Sequence, residues 1–422
     1  MNITKLNIII CFFGCLFITS CDSFKDAFDA KEIAPLSVKV KTKITAEGVE
    51  STDGLKIKFD NYDEDIHITK ELVGTEMSVD GIIPGIYSVN ITGKVTNNVG
   101  DEYYLNGSLV NKAIYEGENN LEISVNGLKI SPLVFKEIFY AGTTPFYFRN
   151  QFYELYNNST KTLYLDGIYF ANLTPGTATT KLPVWPESDG DNYAYAERVW
   201  KFPGNGTDYP LAPGESCVIS QFAANHKLPI YNPDSPVDCS SSEFEFNMNN
   251  PNFPDQPAYD MVHVFYDGKA IMGTVPQYLT SVFGGAYVIF QVPEGESYDP
   301  VNNPNLSTTN QASSSSTLYA KIPIKYVLDA VEAGNNETMI AAKRVPAVLD
   351  AGMTYVGETY CSLGVARKLL TDEEGNIVYN EDGSIILQDT NNSTEDFDRR
   401  VVPQLRRHNT KMPYWNHTLQ GK

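Results

Sequence analysis

The sequence predicts an all-β protein of two sandwich modules, and three observations carry that prediction. Charged residues make up only 20% of the chain while Tyr, Phe, Thr, Asn, Gly and Pro are abundant, the balance of sheets joined by many turns. Short segments alternating apolar with polar residues recur between Gly, Asn, Asp and Pro clusters, which is the period of half-buried strands. A length of 422 residues, 42% of them hydrophobic, suffices for more than one core at ~100–200 residues per domain. Acids outnumber bases by 52 to 32, for a formal net charge of −20. Such a surface repels phosphate backbones, so nucleic acid is excluded as a partner.

The first element, residues 1–20, has one cation, Lys5, and then an apolar run from Ile8 to Ile18. That run is shorter than the ~20 residues of a membrane span and has the layout of a secretory signal peptide. It ends Ile18-Thr19-Ser20-Cys21, which resembles the lipobox of bacterial lipoproteins; the resemblance implies cleavage before Cys21 and lipidation of Cys21. Residues 21–34 follow as a polar tether. The expected partner is therefore the membrane, held through lipid, since two or three acyl chains anchor stably. The expected address is the outer membrane, with its periplasmic and surface faces both open.

Residues 35–128 form the first module. Ser37 to Lys41, Leu55 to Phe59, Ile66 to Ile68, Tyr87 to Ile91 and Leu121 to Val125 all alternate, as strands of an antiparallel sandwich do. Within it, Pro84-Gly85-Ile86-Tyr87-Ser88-Val89 resembles the turn and core strand of carboxypeptidase-regulatory-like and collagen-adhesin B-repeat-like domains. That resemblance implies a spacer or scaffold.

Residues 129–400 form the second module, with 401–422 a C-terminal tail. Its strands begin at Leu133-Val134-Phe135-Lys136-Glu137-Ile138, Gln151-Phe152-Tyr153-Glu154-Leu155-Tyr156 and Leu163-Tyr164-Leu165. These segments, with Leu211-Ala212-Pro213-Gly214-Glu215, resemble a lamin-tail type of immunoglobulin-like domain. Gly364 to Lys368 and Gln388 to Phe397 are similar to the arginine strand and closing segment of such domains. Jointly with the lipobox and the first module, these motifs resemble the bacterial lipoproteins of domain of unknown function 4876, over roughly residues 36–400. The resemblance implies a fold and a cellular address, and no activity. A sandwich needs only ~100 residues, so long insertions are expected at 171–258 and 294–317, where function commonly resides.

No G-x-S-x-G elbow, Walker loop, H-E-x-x-H helix or G-x-G-x-x-G turn occurs, so the usual carriers of nucleophilic, nucleotide and zinc chemistry are missing. No enzyme activity, cofactor or metal is predicted. The five histidines are scattered, and Asp372 to Glu374, Glu381-Asp382 and Asp396-Phe397-Asp398 read as turn acids, since no D-x-D-x-D-G calcium loop is present. Cys217 and Cys239 bracket a short segment that a disulfide would close, although buried free thiols are the favoured reading. Glu137, Glu154, Arg367, Asp389 and Asp396 are expected to be structural, the glutamates holding backbone donors or pairing with Arg367. Trp185, Trp200 and Tyr209 in the insertion are the candidate contact residues, because aromatic faces on loops stack on sugars or fill protein pockets.

The function expected is a non-enzymatic binding or adhesion module, meeting glycan or an envelope or host protein. The alternatives are a structural subunit of an envelope complex, and a hydrolase using carboxylates of the 171–258 insertion. The anchor is directly testable. Cys21→Ala is expected to leave the protein unprocessed or release it from membranes in detergent-free fractionation, and continued sedimentation of a processed mutant with membranes would contradict the lipobox.

Overall fold

The computed structural model describes residues 33–420 apart from 47, 62–63, 99–101, 130–131, 178, 180, 271–276, 372–374, 378 and 381. The expected signal peptide, Cys21 and all but the end of the expected tether therefore lie outside the described residues. The chain is all-β and divides into two units, Met1–Lys129 and Ile130–Lys422. Among the described residues, no helix is long and apolar enough to cross a membrane.

The first unit has seven strands: β1 (Leu36–Thr45), β2 (Leu55–Asn61), β3 (Ile66–Glu71), β4 (Glu76–Ile82), β5 (Gly85–Thr96), β6 (Glu102–Ile114) and β7 (Asn119–Lys129). They form one sheet in the order β3-β2-β5-β6-β7-β1-β4, with β1 and β7 parallel. Alternation decides which face is buried: Val38 and Val40 point inward between the exposed Lys39 and Lys41. Val38, Ile57, Val79, Val89, Leu105 and Ile123 belong to a single core cluster. A sheet with one buried face and one core must curl on itself, so the expected sandwich is a single coiled sheet. Gly85 allows the entry to β5, since a Cβ there would stand 2.5 Å from the Asn61 side chain, and Tyr87 anchors it by donating its hydroxyl to Ile83 O at 2.7 Å.

The second unit continues with β8 (Leu133–Phe139), β9 (Phe152–Asn157), β10 (Leu163–Tyr164), β11 (Tyr169–Leu173), β12 (Tyr193–Lys201), β13 (Pro210–Leu211), β14 (Ser216–Ser220), β15 (Phe244–Glu245) and β16 (Tyr259–Asp260). The remaining strands are β17 (Val262–Tyr266), β18 (Gly284–Phe290), β19 (Ser307–Thr308), β20 (Tyr319–Pro323), β21 (Val327–Gly334), β22 (Thr354–Tyr355), β23 (Gly364–Arg367) and β24 (Phe397–Val401). A front sheet runs β16-β15-β14-β9-β8-β23-β24 and a back sheet β19-β20-β12-β11-β18-β21-β22, with β17 also on β12. Phe135, Tyr153, Leu155 and Val365 of the front sheet share one core with Phe170, Trp200, Tyr287 and Val331 of the back sheet.

The outer faces of these sheets are covered too. Every residue of β8, β9, β11, β14 and β18 is buried. Tyr298, Tyr326 and Val345 cap the back sheet, Val237 and Leu405 cap the front one at Phe139 and Phe152, and Leu369 and Leu387 cap Val134 and Tyr156. Two expectations are thereby corrected. Residues 171–258 are not a decorating insertion, because they supply β12, β14 and β15 to the two sheets. Residues 401–422 are not a tail: Trp415 is buried in the central core and donates Nε1–H to Pro210 O at 2.6 Å. Cys217 and Cys239 are free and buried, one in the inter-sheet core and the other beneath the roof of the front sheet, on opposite faces where no disulfide can join them.

Trp415→Ala is expected to cost about 3–5 kcal/mol of stability through the cavity it leaves. The neighbouring Tyr414 is 73% exposed, so Tyr414→Ala should change stability by less than about 0.5 kcal/mol. Urea titrations of the two variants make the comparison, and equal costs would contradict the placement of the C-terminal segment.

Candidate functional site

The acids predicted to be structural divide between two buried networks. In the first, Arg367 at the end of β23 donates Nη2 to Asp329 Oδ2 at 2.7 Å, Nη1 to Asp389 Oδ1 at 3.0 Å and Nε to Phe135 O at 2.7 Å. Asp396 lies 3.6 Å away. One buried cation faces three carboxylates, and burial raises the pKa of Asp329 to about 7 and also raises that of Asp389.

The second network corrects an expectation. Glu137 and Glu154 face each other in register on β8 and β9, but neither pairs with Arg367. Glu137 takes Arg407 at 2.8 Å and the Gln404 backbone N–H. Glu154 takes Lys136 at 2.9 Å and the Arg406 backbone N–H. Glu243 beside them takes Arg406 and the amide of Asn416. The C-terminal segment supplies most of these partners, and no sequence pattern announces it. All these carboxylates are committed to structure.

Among the described residues, Glu245, Asp255 and Asp260 alone bring three potential metal-ligand atoms together, within 4.8 Å. Both oxygens of Glu245 already accept backbone N–H groups, from Ala223 and Gln256, and Asn247 donates to Asp255 at 3.0 Å. Burial, with Asp260 and Asp255 adjacent, raises Glu245 to about 7.

The three candidate aromatic residues have different fates. Trp200 is wholly buried because β12 turns it into the inter-sheet core, which removes it as a contact residue. Tyr209 is half-buried and packs edge-on against Phe244, Tyr259 and Trp415, so it belongs to that core as well. Trp185 is half-buried at the molecular surface, stacked on Tyr195 at 4.0 Å and edge-on to Tyr319 at 5.4 Å.

Beside Trp185 and Tyr319 lies a groove of about 340 Å³, whose lining includes Thr174, Leu182, Pro183, Glu197, Asn310 and Tyr319. Its walls are the two loops flagged in the sequence, which clasp each other: Asn310 Oδ1 accepts Val184 N–H at 3.0 Å, and Gln311 N–H donates to Val184 O at 2.8 Å. Its floor is Glu197, which sequence reasoning missed. On β12, residues 193–196 pair with β20 and residues 198–201 with β17. Against β11 the register passes from Arg198 to Ala196 across a bulge, leaving Glu197 as the extra, unpaired residue. A bulge of this kind re-aims a side chain. Gly176 N–H donates to Glu197 Oε2 at 2.9 Å, while Oε1, like the Asn310 amide nitrogen, has no hydrogen-bond partner among the described residues. Burial raises the pKa of Glu197. A larger depression on the first unit, about 580 Å³ between β4, β1 and β7, is a solvated sheet face crossed by the Lys41–Glu76 ion pair at 3.0 Å.

Fold and site together define an all-β protein whose second unit roofs its own sandwich and has, among the described residues, a polar, aromatic-edged groove open between two loops. The chain belongs to the DUF4876 family, proteins of unknown function, whose sequence profile matches residues 212–404. A crystal structure of a DUF4876 family protein from Bacteroides thetaiotaomicron VPI-5482 is 66% identical, with a TM-score of 0.70 over 91% of this chain and 100% of that one. A "putative cell adhesion protein" from Bacteroides eggerthii DSM 20697 aligns over 62% of this chain and 76% of its own, at 8% identity and a TM-score of 0.17, a likeness too low to carry an argument. No curated protein matches the chain.

The Arg367 cluster generates a pH prediction. With Asp329 raised to about 7, the folded state keeps a proton that the unfolded chain releases near pH 4. Its stabilising contribution is complete below about pH 4 and is lost as the pH rises through about 7, by up to about 1.4 kcal/mol per pH unit. Asp329→Asn should flatten that slope. All three tryptophans, Trp185, Trp200 and Trp415, lie in the second unit, so tryptophan fluorescence during denaturation at pH 4–7 reads it directly. An unchanged slope would contradict a proton kept on Asp329.

Proposed function

We propose that this chain is a lipid-anchored, non-enzymatic binding protein of the outer membrane, and that the groove between residues 174–176 and 181–184 on one side and 310–319 on the other is its contact site. The observation that carries the reading is the bulged Glu197, whose Oε2 holds the Gly176 N–H while its Oε1 has no donor among the described residues, whereas the buried Glu137, Glu154, Glu243 and Glu245 have both oxygens engaged. Half-exposed aromatic side chains and loop walls beside such a group are the make-up of a ligand pocket, and the volume falls at the small end of the ~300–1,000 Å³ range of such sites.

The hydrolase alternative asks for two carboxylates flanking a bond at ~5–10 Å. Glu197 is the one acid lining the groove, and Glu137, Glu154 and Glu243 are neutralised elsewhere. Binding therefore accounts for the site better than hydrolysis.

Ala312 is exposed at the rim, which makes it a position for a photo-crosslinking amino acid in intact cells. Adducts are expected from that position and should disappear when Trp185→Ala is added. Adducts that persist unchanged in the double variant, or arise equally from a probe at Asp53 in the first unit, would overturn the assignment of the groove.

A further inference from the structure

Resting on that reading, we infer that the groove takes a neutral carbohydrate, with Glu197 and Asn310 gripping hydroxyl groups and the Tyr319 wall meeting the C–H face of a sugar ring. Three properties of the site select this chemistry.

The first is the pairing of unused groups. Glu197 Oε1 offers an acceptor, whereas the Asn310 amide offers donors because its oxygen is occupied by the Val184 and Ala312 N–H groups at 3.0 Å each. A sugar hydroxyl donates one hydrogen bond and accepts others, so neighbouring hydroxyls on one ring satisfy both residues. A purely cationic or purely anionic ligand uses only one of them.

Charge is the second property. The acid in the groove has cations around it: Lys181 lines the same groove, and the buried guanidiniums of Arg198 and of Arg344, the latter paired with Glu332 at 2.8 Å and bonded to Pro175 O behind the wall, favour the charged carboxylate through space. A cationic ligand would meet Lys181 in the groove and the fields of the two buried guanidiniums behind it. An anionic one would approach a chain of formal net charge −20 and then face Glu197 itself. A neutral polar ligand avoids both penalties.

The third property is apolar surface in the same small space. Pro183 and Leu182 stand with the ring of Tyr319 in the lining, and Trp185 backs Tyr319 from the side, itself held by Tyr195. Sugar rings present just such a combination, an apolar C–H face with hydroxyls at the edge, and aromatic side chains held by packing meet that face without losing much freedom on binding.

The test uses the processed full-length protein in a non-glycosidic detergent, with calorimetry against maltohexaose, cellohexaose, xylohexaose and mannohexaose, and against oligogalacturonate and hexalysine as charged probes. At least one neutral oligosaccharide is expected to bind, with affinity falling about tenfold or more in Glu197→Gln and in Tyr319→Ala, the loss for one charge-assisted hydrogen bond or one ring contact. Unchanged melting temperatures in both variants would separate that loss from misfolding. Binding of hexalysine alone, abolished by Glu197→Gln, would overturn the carbohydrate class while leaving the groove as a binding site. Neutral sugar binding unaffected by either variant would place the carbohydrate elsewhere and overturn the inference. Failure of every neutral probe also overturns it, and the crosslinks from Ala312 then judge the groove independently.

Discussion

Arg367 is the side chain through which the second unit is registered. It lies on the front sheet, yet its guanidinium reaches Asp329 on the back sheet, the carbonyl of Phe135 in the neighbouring strand β8, and Asp389 beyond the hairpin that follows β23. Asp329 also accepts the Phe135 N–H at 2.7 Å, so one carboxyl group ties both sheets at one point. Asp396 closes the circuit by accepting the N–H groups of Thr390 and Asn392 and the Thr390 hydroxyl. A buried ion pair gains little net stability against a hydrophobic replacement, but removing one partner is costly, about 3–5 kcal/mol. What the cluster visibly does is join segments more than 200 residues apart through one buried guanidinium.

A second constraint follows from burying both sheets on both faces. Strands that alternate apolar with polar residues would place Glu137, Glu154 and Ser216 toward water, but the roofing loops take the water away. Every polar group beneath them then needs a partner. Lys136, Arg406, Arg407 and Asn416 meet that demand for the glutamates. The requirement is strong enough to hold the backbone in an uncommon conformation: Arg406 sits at φ +55°, a left-handed geometry that residues other than glycine seldom adopt. Its N–H meanwhile points at both oxygens of Glu154, at 3.2 and 3.0 Å.

These two constraints also explain what the sequence could and could not convey. Alternation made β1, β2, β5 and β7 visible, and the acid-bearing segments Leu133 to Phe139 and Phe152 to Asn157 stood out as strands whose glutamates are adjacent in the structure. Ion-pair partners were hidden because Arg407 is 270 residues from Glu137 and no periodicity links them. Strand β6 carries Asn106-Gly107, a pair that favours turns; Gly107 sits mid-strand because a Cβ there would meet the Ser124 carbonyl at 2.6 Å. Trp200 was misplaced for a related reason. Its surroundings are rich in Pro, Gly, Asn and Asp, which concealed the nine-residue strand Tyr-Ala-Tyr-Ala-Glu-Arg-Val-Trp-Lys, although its aromatic and alanine alternation is the signal that should have outweighed them.

Glu197 lay in that same strand, and its role comes from a defect in the ladder rather than from its neighbours in sequence. β12 serves three strands: β11 along one edge, and β20 and then β17 along the other. A strand shared between two partners on one edge has to break register where one gives way to the next, and the bulge at residue 197 accommodates that break. The residue at the break is released from the sheet pattern, and no strand covers it on that side. Covering it fell to the two loops, which clasp each other at Val184 and Asn310 and leave space beneath the clasp. Had the bulge carried an apolar residue, the loops would have closed on it as the other roofs close on Val134 and Phe139. A carboxylate is poorly sealed with one backbone donor, so the polar character of residue 197 is what keeps this roof open as a groove rather than closed as a core.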